Sequence, residues 1–326
     1  MRGAAVSRDR NQIAAYFPVP LVCPLCHEPV RLSGERFQCF GCARSFPMVS
    51  GFPDFVTGER FADETDAEQL AYEELSNRDL AGRYLVPLFR RLLARADAPP
   101  RILSLGCGAG TDVDVLCEAG FDCVGIDCGN RTTAWPRRVE PRRFLRANGQ
   151  RLPFASETFD AIFCGCVFPH VGVVGDSFEV TPRYREDRLE LAAEIARVLA
   201  PGGSALVSSP NRWFPFDIFH GRDAGSYRPI PYWPGDPFLL SLADYRRLFE
   251  SAGLGGVRAE PVRGYWSFCR SRQSIKGRLL AIPIRTLFSL VSRPYLAFLR
   301  ASPFNPWLVV RAEKSPRGDE QRSARL

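Results

Sequence analysis

Residues 101–112 read RILSLGCGAGTD, and this stretch decides the fold class. A short run, Ile102–Leu105, enters a loop that holds Gly106, Gly108 and Gly110, and a helical pattern follows. A buried strand that enters a glycine loop and then a helix begins a βαβ unit, in which the backbone of the loop comes close to a ligand. The stretch therefore predicts a parallel α/β sheet with a ligand near the end of its first strand.

The spacing of the glycines limits which ligand this loop can bind. A dinucleotide fingerprint would need a third glycine where Thr111 stands, and the lysine of a phosphate-binding P-loop is absent. Asp127 ends the next predicted strand, where a carboxylate can accept both hydroxyls of a ribose. The pattern indicates a nucleoside cofactor other than a dinucleotide.

Strand and helix patterns alternate from residue 101 to about residue 211, which predicts a parallel sheet with right-handed crossovers. The predicted strands are 101–105, 122–126, 161–164 and 205–208, with helices over 111–119 and 188–199. A helix over 242–252 and two closing strands over 257–268 and 306–312 follow.

Four ordered segments of residues 101–211 resemble class I S-adenosylmethionine-dependent methyltransferases of the methyltransferase type 11 kind. They are LSLGCGAG, VGID, ANGQRLPFASETFDAIFC and EIARVLAPGGSALVSSPN. The resemblance implies a Rossmann-like sheet of seven mostly parallel strands with helices on both faces. It also implies S-adenosylmethionine over the carboxyl ends of the first strands.

The resemblance further implies which residues bind the cofactor. They are Gly106, Cys107, Gly108 and Gly110 of the loop, Asp127 for the ribose, and Asn148, Gly149 and Gln150 along the adenine. Asn148 stands where the family often has an aspartate that faces the adenine amino group, and an asparagine oxygen can accept the same hydrogen bond.

Ser104 departs from the family's pattern, in which the first strand usually carries an acidic residue at this position. Serine can form a hydrogen bond but offers no charge, and Asp112, just past the loop, could substitute for the missing carboxylate. On this reasoning we expect the substitution Ser104→Asp to keep or tighten cofactor binding.

Two CxxC pairs, Cys23 with Cys26 and Cys39 with Cys42, are separated by twelve residues. Four thiolates at this spacing can close tetrahedrally on a structural Zn²⁺, which would stabilise a unit too small to fold through its apolar core alone. Four incidental buried thiols and a redox pair are the alternatives. The ribbon also resembles the small zinc-ribbon proteins that serve as methyltransferase partners, which implies a built-in activating or stabilising module.

The chain divides into segments of different composition. We expect a flexible tail over 1–18, a zinc ribbon over 19–58, a helical linker with the first helices over 59–100 and ended by Pro99-Pro100, a methyltransferase domain over 101–313, and a polar tail over 314–326. Within the methyltransferase domain, residues 212–240 form an aromatic insertion and residues 270–304 a basic amphipathic insertion.

His170 follows the predicted strand over 161–164, at the edge where the methyl acceptor should lie. Imidazole can take a proton near neutral pH, although a structural histidine fits the position as well. His220 and Asp217 are further candidates. The aromatic insertion is interpreted as a lid over the acceptor, or as the packing of a proline-rich loop.

The net charge of +7 is concentrated in residues 270–300, which hold seven Lys and Arg residues and no acidic residue. Mixed with apolar positions, these cations are typical of an interfacial helix, which Pro283 and Pro294 should break into short pieces. Docking to a membrane surface or an anionic lipid-like substrate, a helical cap on the sheet, and a nucleic-acid surface remain open.

These features favour transfer of a methyl group to an oxygen of a small-molecule or lipid-linked acceptor, as in the quinone, polyketide and cell-surface glycan branches of the family. The alternatives are an RNA methyltransferase of the ribosomal-RNA guanine kind that grips RNA with its ribbon, and an S-adenosylmethionine-binding protein without turnover. The ribbon carries few cations, which disfavours RNA.

Without an export signal or an apolar run of about 18 residues, the expected location is the cytoplasm, with peripheral membrane contact through 270–300.

Overall fold

The computed structural model describes residues 17–57, 67–94, 98–175, 177–217, 230–266 and 275–317. The amino-terminal unit is a small antiparallel sheet in the order β1-β2-β3-β4. Its strands are β1 (Val30–Ser33), β2 (Arg36–Cys39), β3 (Ser45–Val49) and β4 (Phe52–Pro53). Along β2 exposed and buried residues alternate, so that Phe37 and Cys39 face inward. This is the expected ribbon.

The ribbon docks on the larger α/β domain through backbone hydrogen bonds and a shared apolar core. Val22 N donates to Pro153 O at 2.9 Å, and Phe55 N donates to Arg146 O at 2.8 Å. Phe17 is buried and stacks on Phe154. The predicted tail over 1–18 is therefore wrong at its end, because Phe17 contributes to the core.

The linker holds two helices. They are α1 (Ala67–Leu80) and α2 (Val86–Leu92), joined by a π-helical turn over Ala81–Leu85. Buried side chains begin only at Ala81, so α1 lies on the surface. The helix was expected to run up to Pro99-Pro100, but α2 ends at Leu92.

Within the described residues, the central sheet has seven strands in the order β12-β13-β9-β8-β5-β6-β7. They are β5 (Arg101–Leu105), β6 (Asp122–Asp127), β7 (Phe144–Arg146), β8 (Phe159–Gly165), β9 (Leu199–Pro210), β12 (Gly255–Ala259) and β13 (Trp307–Glu313). β5 to β9 run parallel, and β13 is antiparallel to both β9 and β12. The predicted mostly parallel sheet is confirmed, with the short β7 as an unpredicted edge strand.

The helices that follow the strands cover the sheet. They are α3 (Thr111–Glu118), α4 (Tyr184–Val198), α5 (Leu242–Ser251) and α6 (Ile275–Val291), with 3-10 turns over Asn130–Arg137, Pro141–Arg143, Phe168–His170 and Pro294–Ala301. The aromatic insertion contains a two-stranded ladder of β10 (Phe216–Asp217) and β11 (Ile230–Pro231). The predicted helix over 188–199 begins earlier, at Tyr184.

Two expectations for the carboxyl-terminal part are wrong. The predicted strand over 257–268 ends at Ala259, because a turn follows in which Tyr265 N bonds Val262 O and Gly264 has a φ of 86°. The basic segment was expected to break at Pro283 and Pro294. α6 continues through Pro283, so that break is wrong, whereas α6 ends at Val291 before Pro294 begins a 3-10 turn. An interior proline costs about 3 kcal/mol, and burial of Phe288 and Val291 on the same helix offsets that cost.

The polar tail begins later than expected, because Lys314 belongs to the fold. Its Nζ donates to Ala196 O at 2.9 Å and to Leu199 O at 2.8 Å, and its carbonyl accepts from Gly202 N. Lys314 thereby ties the end of β13 to the end of α4.

Candidate cofactor and metal sites

The glycine loop between β5 and α3 has a backbone that only glycine adopts readily. Gly106, Gly108 and Gly110 have φ values of 72°, 53° and 79°. A Cβ atom at Gly106 would lie 2.3 Å from Val167 Cγ2, and one at Gly110 would lie 2.4 Å from Phe144 Cε1. Conformation and close packing therefore both require these glycines.

Hydrogen bonds hold this loop against the end of β6. Gly106 N and Cys107 N both donate to Ile126 O, at 2.9 and 3.0 Å. Gly108 N donates to Asp127 Oδ2 at 2.8 Å, and Trp135 Nε1 donates to Gly108 O at 2.9 Å. The loop is thus fixed before any ligand binds.

Asp127, the predicted ribose ligand, lies beside the loop at the end of β6. Its Oδ2 accepts from Gly108 N and its Oδ1 from Gly129 N at 2.7 Å. Burial raises the pKa of Asp127, and these two backbone hydrogen bonds oppose the rise. Each carboxylate oxygen can accept a further hydrogen bond, so the group can hold the loop and still receive ribose hydroxyls.

Cys107, predicted to bind the cofactor, has its thiol in the apolar cluster that also contains Val113. Burial raises the pKa of the Cys107 thiol well above its usual range. Its backbone carbonyl accepts from Gly110 N at 2.8 Å. The side chain therefore packs under the loop.

Ser104 and Asp112 form a buried pair beneath the loop. Alternate residues of β5 face opposite layers, so Ser104 faces α3, and its Oγ donates to Asp112 Oδ2 at 2.5 Å. Asp112 Oδ1 is buried and forms no hydrogen bond of standard geometry with the described residues. Burial raises the pKa of Asp112 to about 6, although the hydrogen bond from Ser104 opposes the rise.

A carboxylate from α3 therefore lies next to the position on the first strand where the family usually has its acidic residue. The expectation that Ser104→Asp would keep or tighten cofactor binding does not hold in this geometry. The new carboxylate would face that of Asp112 in a buried site, where two like charges cannot both ionise without a large cost.

Asn148, the predicted adenine ligand, offers a free acceptor. Its Nδ2 donates to Thr57 O at 3.2 Å, whereas its buried Oδ1 has no partner in the described part of the chain. A buried amide oxygen without a hydrogen bond is costly, and the adenine amino group would supply the missing donor. Gly149 packs on Leu191, where a Cβ would lie 2.8 Å from Cδ1, and Gln150 is half-buried beside it.

Thr57 shows that the ribbon reaches the cofactor site, which sequence reasoning did not foresee. Thr57 belongs to the segment that leaves β4, and its Oγ1 is also buried without a partner among the residues described. The two residues are far apart in sequence and no motif includes Thr57. Only the fold brings it to Asn148.

Two residues of α4 position the segment that carries Asn148. Glu194 Oε2 accepts from Leu152 N at 2.7 Å. Arg197 donates to Leu152 O at 3.0 Å and to Phe154 O at 2.7 Å. Glu194 and Arg197 belong to the segment EIARVLAPGGSALVSSPN, and they hold the segment ANGQRLPFASETFDAIFC in place. Two of the four segments that resemble the family are thus bonded to each other.

Ion pairs join α1 to the cofactor side of the sheet, and sequence reasoning missed them. Arg131 Nε donates to Glu73 Oε2 at 2.6 Å, and its Nη2 donates to Oε1 at 2.9 Å. A Cβ at Gly108 would lie 3.3 Å from Arg131 Cδ, so this pair borders the loop. No local signal in the sequence could have found a pair that joins two distant segments.

His170 ends the 3-10 turn after β8, close to the aromatic insertion. It is half-buried, and its ring meets that of Phe238 edge-on at 5.6 Å. Asp217 lies in β10, paired with Ile230, and His220 lies outside the described residues. The structure thus brings His170 and the end of the insertion together.

Arg188 clamps these two segments to each other. It is buried on α4 and donates to the carbonyl oxygens of Pro169, Val171, Pro237 and Phe238 at 2.8–3.2 Å. Burial lowers the pKa of the Arg188 guanidinium. The clamp sets the shape of the rim on which His170 lies.

The four ribbon cysteines form a compact cluster in which all Sγ atoms lie within 4.8 Å of one another. Cys23 Sγ is 3.7 Å from Cys42 Sγ, and Cys26 Sγ is 3.3 Å from Cys39 Sγ. Zn–S bonds of about 2.3 Å in a tetrahedron require S···S distances of about 3.8 Å. Four thiol ligands at this separation fit a closed structural zinc site.

The chain is similar to methyltransferases in sequence. Residues 103–207 match the family described as methyltransferase domain. A probable S-adenosylmethionine-dependent methyltransferase of Mycolicibacterium smegmatis is 29% identical over 167 residues, which cover 51% of this chain and 56% of that protein. Glycine N-methyltransferase of Rattus norvegicus is 28% identical over 135 residues, which cover 36% of this chain and 43% of that protein. The chain spans about half the length of the curated relatives it matches.

Solved structures with a related arrangement include an S-adenosylmethionine-dependent methyltransferase of Archaeoglobus fulgidus. It has a TM-score of 0.45 and 16% identity, and covers 76% of this chain and 100% of that one. Another is a complex of the Haloferax volcanii Trm112 methyltransferase activator with a methyltransferase. It has a TM-score of 0.42 and 15% identity, and the match covers 77% of this chain and 98% of that one.

Proposed function

We propose that this chain, whose residues 103–207 match the family described as methyltransferase domain, is a cytoplasmic class I S-adenosylmethionine-dependent methyltransferase. Its acceptor in this proposal is an oxygen of a small-molecule or lipid-linked compound. The binding of S-adenosylmethionine is supported by one arrangement. The glycine loop is preformed and bonded to Asp127, and Asn148 Oδ1 is a buried acceptor without a partner among the described residues.

The residues of this chain would bind and orient the cofactor. Asp127 receives the ribose hydroxyls, Asn148 Oδ1 accepts from the adenine amino group, and the Asp112 carboxylate lies under the glycine loop. The bound cofactor supplies an electrophilic methyl group on a sulfonium. The protein then needs to hold the acceptor atom in line with that methyl group.

The residues after β8 support the proposal that the methyl acceptor is an oxygen. The [DNS]PP[YF] motif that serves exocyclic amines is absent from residues 164–170, which read CGCVFPH. An acceptor hydroxyl must lose its proton on transfer, and the His170 imidazole beside Phe238 can take that proton. The aromatic insertion, joined to His170 through Arg188, would then act as the lid over the acceptor.

The zinc ribbon enters this proposal as a structural module. A four-thiolate site has no open position for substrate, so no step of the transfer involves the metal. The ribbon docks on the edge of the sheet at Arg146 and Pro153 and reaches Asn148 through Thr57. Its role is to hold the adenine side of the site.

Both alternatives lose support. Of the three ribbon arginines, Arg36 binds Ser45 and Arg31 lies over the Phe40 ring, so these two cations are engaged within the ribbon. The case for a protein without turnover rested on Ser104, and Asp112 supplies the carboxylate that Ser104 lacks. Neither observation favours RNA or loss of activity.

Isothermal titration with S-adenosylhomocysteine tests the cofactor site. We expect binding by the wild type, and a loss of about five- to thirtyfold for Asn148→Ala, since a hydrogen bond to a buried group contributes roughly 1–2 kcal/mol. Gln38→Ala, an exposed amide in the ribbon, is the matched control and should bind like the wild type. No binding at millimolar ligand would refute the proposal.

Transfer of labelled methyl groups into cell-extract fractions tests the acceptor. We expect the label in the small-molecule or lipid fraction, on oxygen, and a large loss of turnover with unchanged S-adenosylhomocysteine affinity in His170→Ala. Label in RNA, or on nitrogen, would refute the oxygen acceptor. Near-normal turnover of His170→Ala would show that His170 is structural.

A further inference from the structure

α6 uses one side to pack on the protein. Ala281, Phe288 and Val291 are almost fully buried, and Phe288 and Val291 belong to the apolar cluster beneath the sheet. At about 100° per residue, these three positions fall within about 80° on a helical wheel. The helix is therefore anchored along a single face.

The opposite side of α6 exposes a row of large apolar side chains. Ile275, Leu279, Ile282 and Leu290 are 70%, 62%, 58% and 47% exposed. On the same wheel they also fall within about 80°, roughly opposite the packed face. We call these four residues the docking stripe. Exposed apolar side chains in a contiguous row indicate an interaction surface.

Cations flank the docking stripe on both of its sides. On the helical wheel, Lys276 lies on one side, and Arg278 and Arg285 lie on the other, and all three are exposed. Residues 261–312 contain no Asp or Glu. The surface is therefore complementary to a negatively charged partner with an apolar interior.

Exposed aromatic residues follow α6 along the chain. Tyr295 and Phe298 lie in the 3-10 turn that follows, and Phe304 comes just after it, with exposures of 65–73%. Aromatic side chains are enriched where a protein meets the interface between lipid and water. None of the described helices is long and apolar enough to cross a bilayer. α6 is tethered on both sides, by β12 and β13, so it can only lie along a surface.

We propose that the docking stripe and its flanking cations bind the surface of an anionic phospholipid bilayer, with α6 lying in the plane of the interface. An apolar row between two rows of Lys and Arg is the pattern of an interfacial helix. Nucleic acid would contact the cations and leave the apolar row in water, and the cores of protein interfaces are depleted in lysine. This proposal does not depend on methyl transfer.

Vesicle flotation of the full-length protein, with no cofactor added, tests whether the docking stripe binds an anionic bilayer. Vesicles of phosphatidylcholine alone are compared with vesicles that also contain phosphatidylglycerol. We expect flotation with the anionic vesicles, weakened by salt. Leu279→Asp/Ile282→Asp should lower the affinity at least about tenfold. Lys276→Gln/Arg278→Gln should lower it about thirtyfold, since each cation near an anionic surface contributes about 1 kcal/mol.

Val139→Asp is the matched control, because Val139 is as exposed as the stripe but lies between β6 and β7, toward the opposite edge of the sheet. It should float like the wild type, and circular dichroism should show that every variant is folded. No flotation with either vesicle, or flotation that the stripe variants do not reduce, would overturn the proposal. A dimer that Leu279→Asp/Ile282→Asp dissociates, in a protein that does not float, would assign the stripe to a second copy of the chain.

Discussion

Asp112 is a buried carboxylate beneath the glycine loop, in the first turn of α3. It faces Ser104 across the layer between β5 and α3, and its Oδ1 has no partner of standard geometry among the described residues. A buried carboxylate with an oxygen that lacks a well-formed hydrogen bond destabilises the empty protein. Such a group is tolerated where a bound ligand uses its charge.

Exchanging the two residues tests whether their order along the chain matters. Ser104→Asp alone should lower the free energy of unfolding by about 2 kcal/mol or more and weaken S-adenosylhomocysteine binding, because two buried carboxylates then face each other. The double variant Ser104→Asp/Asp112→Ser should recover most of both losses. Denaturant unfolding and titration calorimetry measure them. Equal losses in the single and double variants would contradict the pairing.

The raised pKa of Asp112 makes stability depend on pH in a defined direction. The folded-state pKa of about 6 lies above the unfolded value of about 3.9, so the folded protein binds the extra proton between these limits. This stability is present below about pH 4 and is lost as the pH rises to about 6, by about 3 kcal/mol. Asp112→Asn should remove that dependence.

Denaturant unfolding at several pH values compares Asp112→Asn with the wild type. The two proteins should be similar in stability near pH 4, and the variant should become the more stable one by pH 7. A stability difference that stays constant with pH would contradict the assignment.

Among the helices, α4 organises both sides of the site. Glu194 and Arg197 hold the segment that leads from Asn148, and Arg188 holds the rim near His170. α1, by contrast, buries no residue and is joined to the sheet through the Glu73–Arg131 ion pair. The buried helix α4 therefore shapes the site, and the surface helix α1 borders it through one ion pair.

Replacing Arg188 by methionine should damage the acceptor rim and spare the cofactor site. Four carbonyl oxygens lose their donor, so the free energy of unfolding should fall by about 3 kcal/mol. KM for the acceptor should rise, and S-adenosylhomocysteine affinity should stay within about twofold. Arg185→Met, an exposed arginine of α4, is the control and should change none of these. Unchanged stability of Arg188→Met would contradict the clamp.

At the scale of the whole molecule, the ribbon and the α/β domain share an apolar cluster. Phe37 and Phe46 of the ribbon belong to the same apolar cluster as Leu145 and Phe154 of the domain. The cysteine cluster therefore affects more than its own unit. Loosening the ribbon would loosen the Thr57–Asn148 contact at the cofactor site.

Metal removal tests that coupling. Freshly purified reduced protein should contain zinc, and a strong chelator should lower Tm and weaken S-adenosylhomocysteine binding severalfold, because structural zinc supplies folding free energy. Cys26→Ser should reproduce both effects. Cys117→Ser, outside the cluster, should leave the zinc content unchanged. Zinc-free protein, or a Tm that the chelator does not shift, would contradict the zinc site.

Local patterns were enough to predict the architecture. The glycines of RILSLGCGAGTD impose a backbone that few other residues adopt, the strand and helix periods of residues 101–211 specify a parallel sheet, and two CxxC pairs specify a four-cysteine cluster. Each of these signals lies within a short segment, since it depends on dihedral angles, side-chain period or ligand spacing.

The contacts that complete the site were decided by the tertiary structure alone. Thr57 meets Asn148, Glu73 meets Arg131, and Arg188 meets carbonyls on two loops, each across a long stretch of chain. Even Ser104 and Asp112, close in sequence, form a pair only because β5 and α3 present them to the same layer. A hydrogen bond depends on distance and direction in space, and only the packing of whole elements sets these.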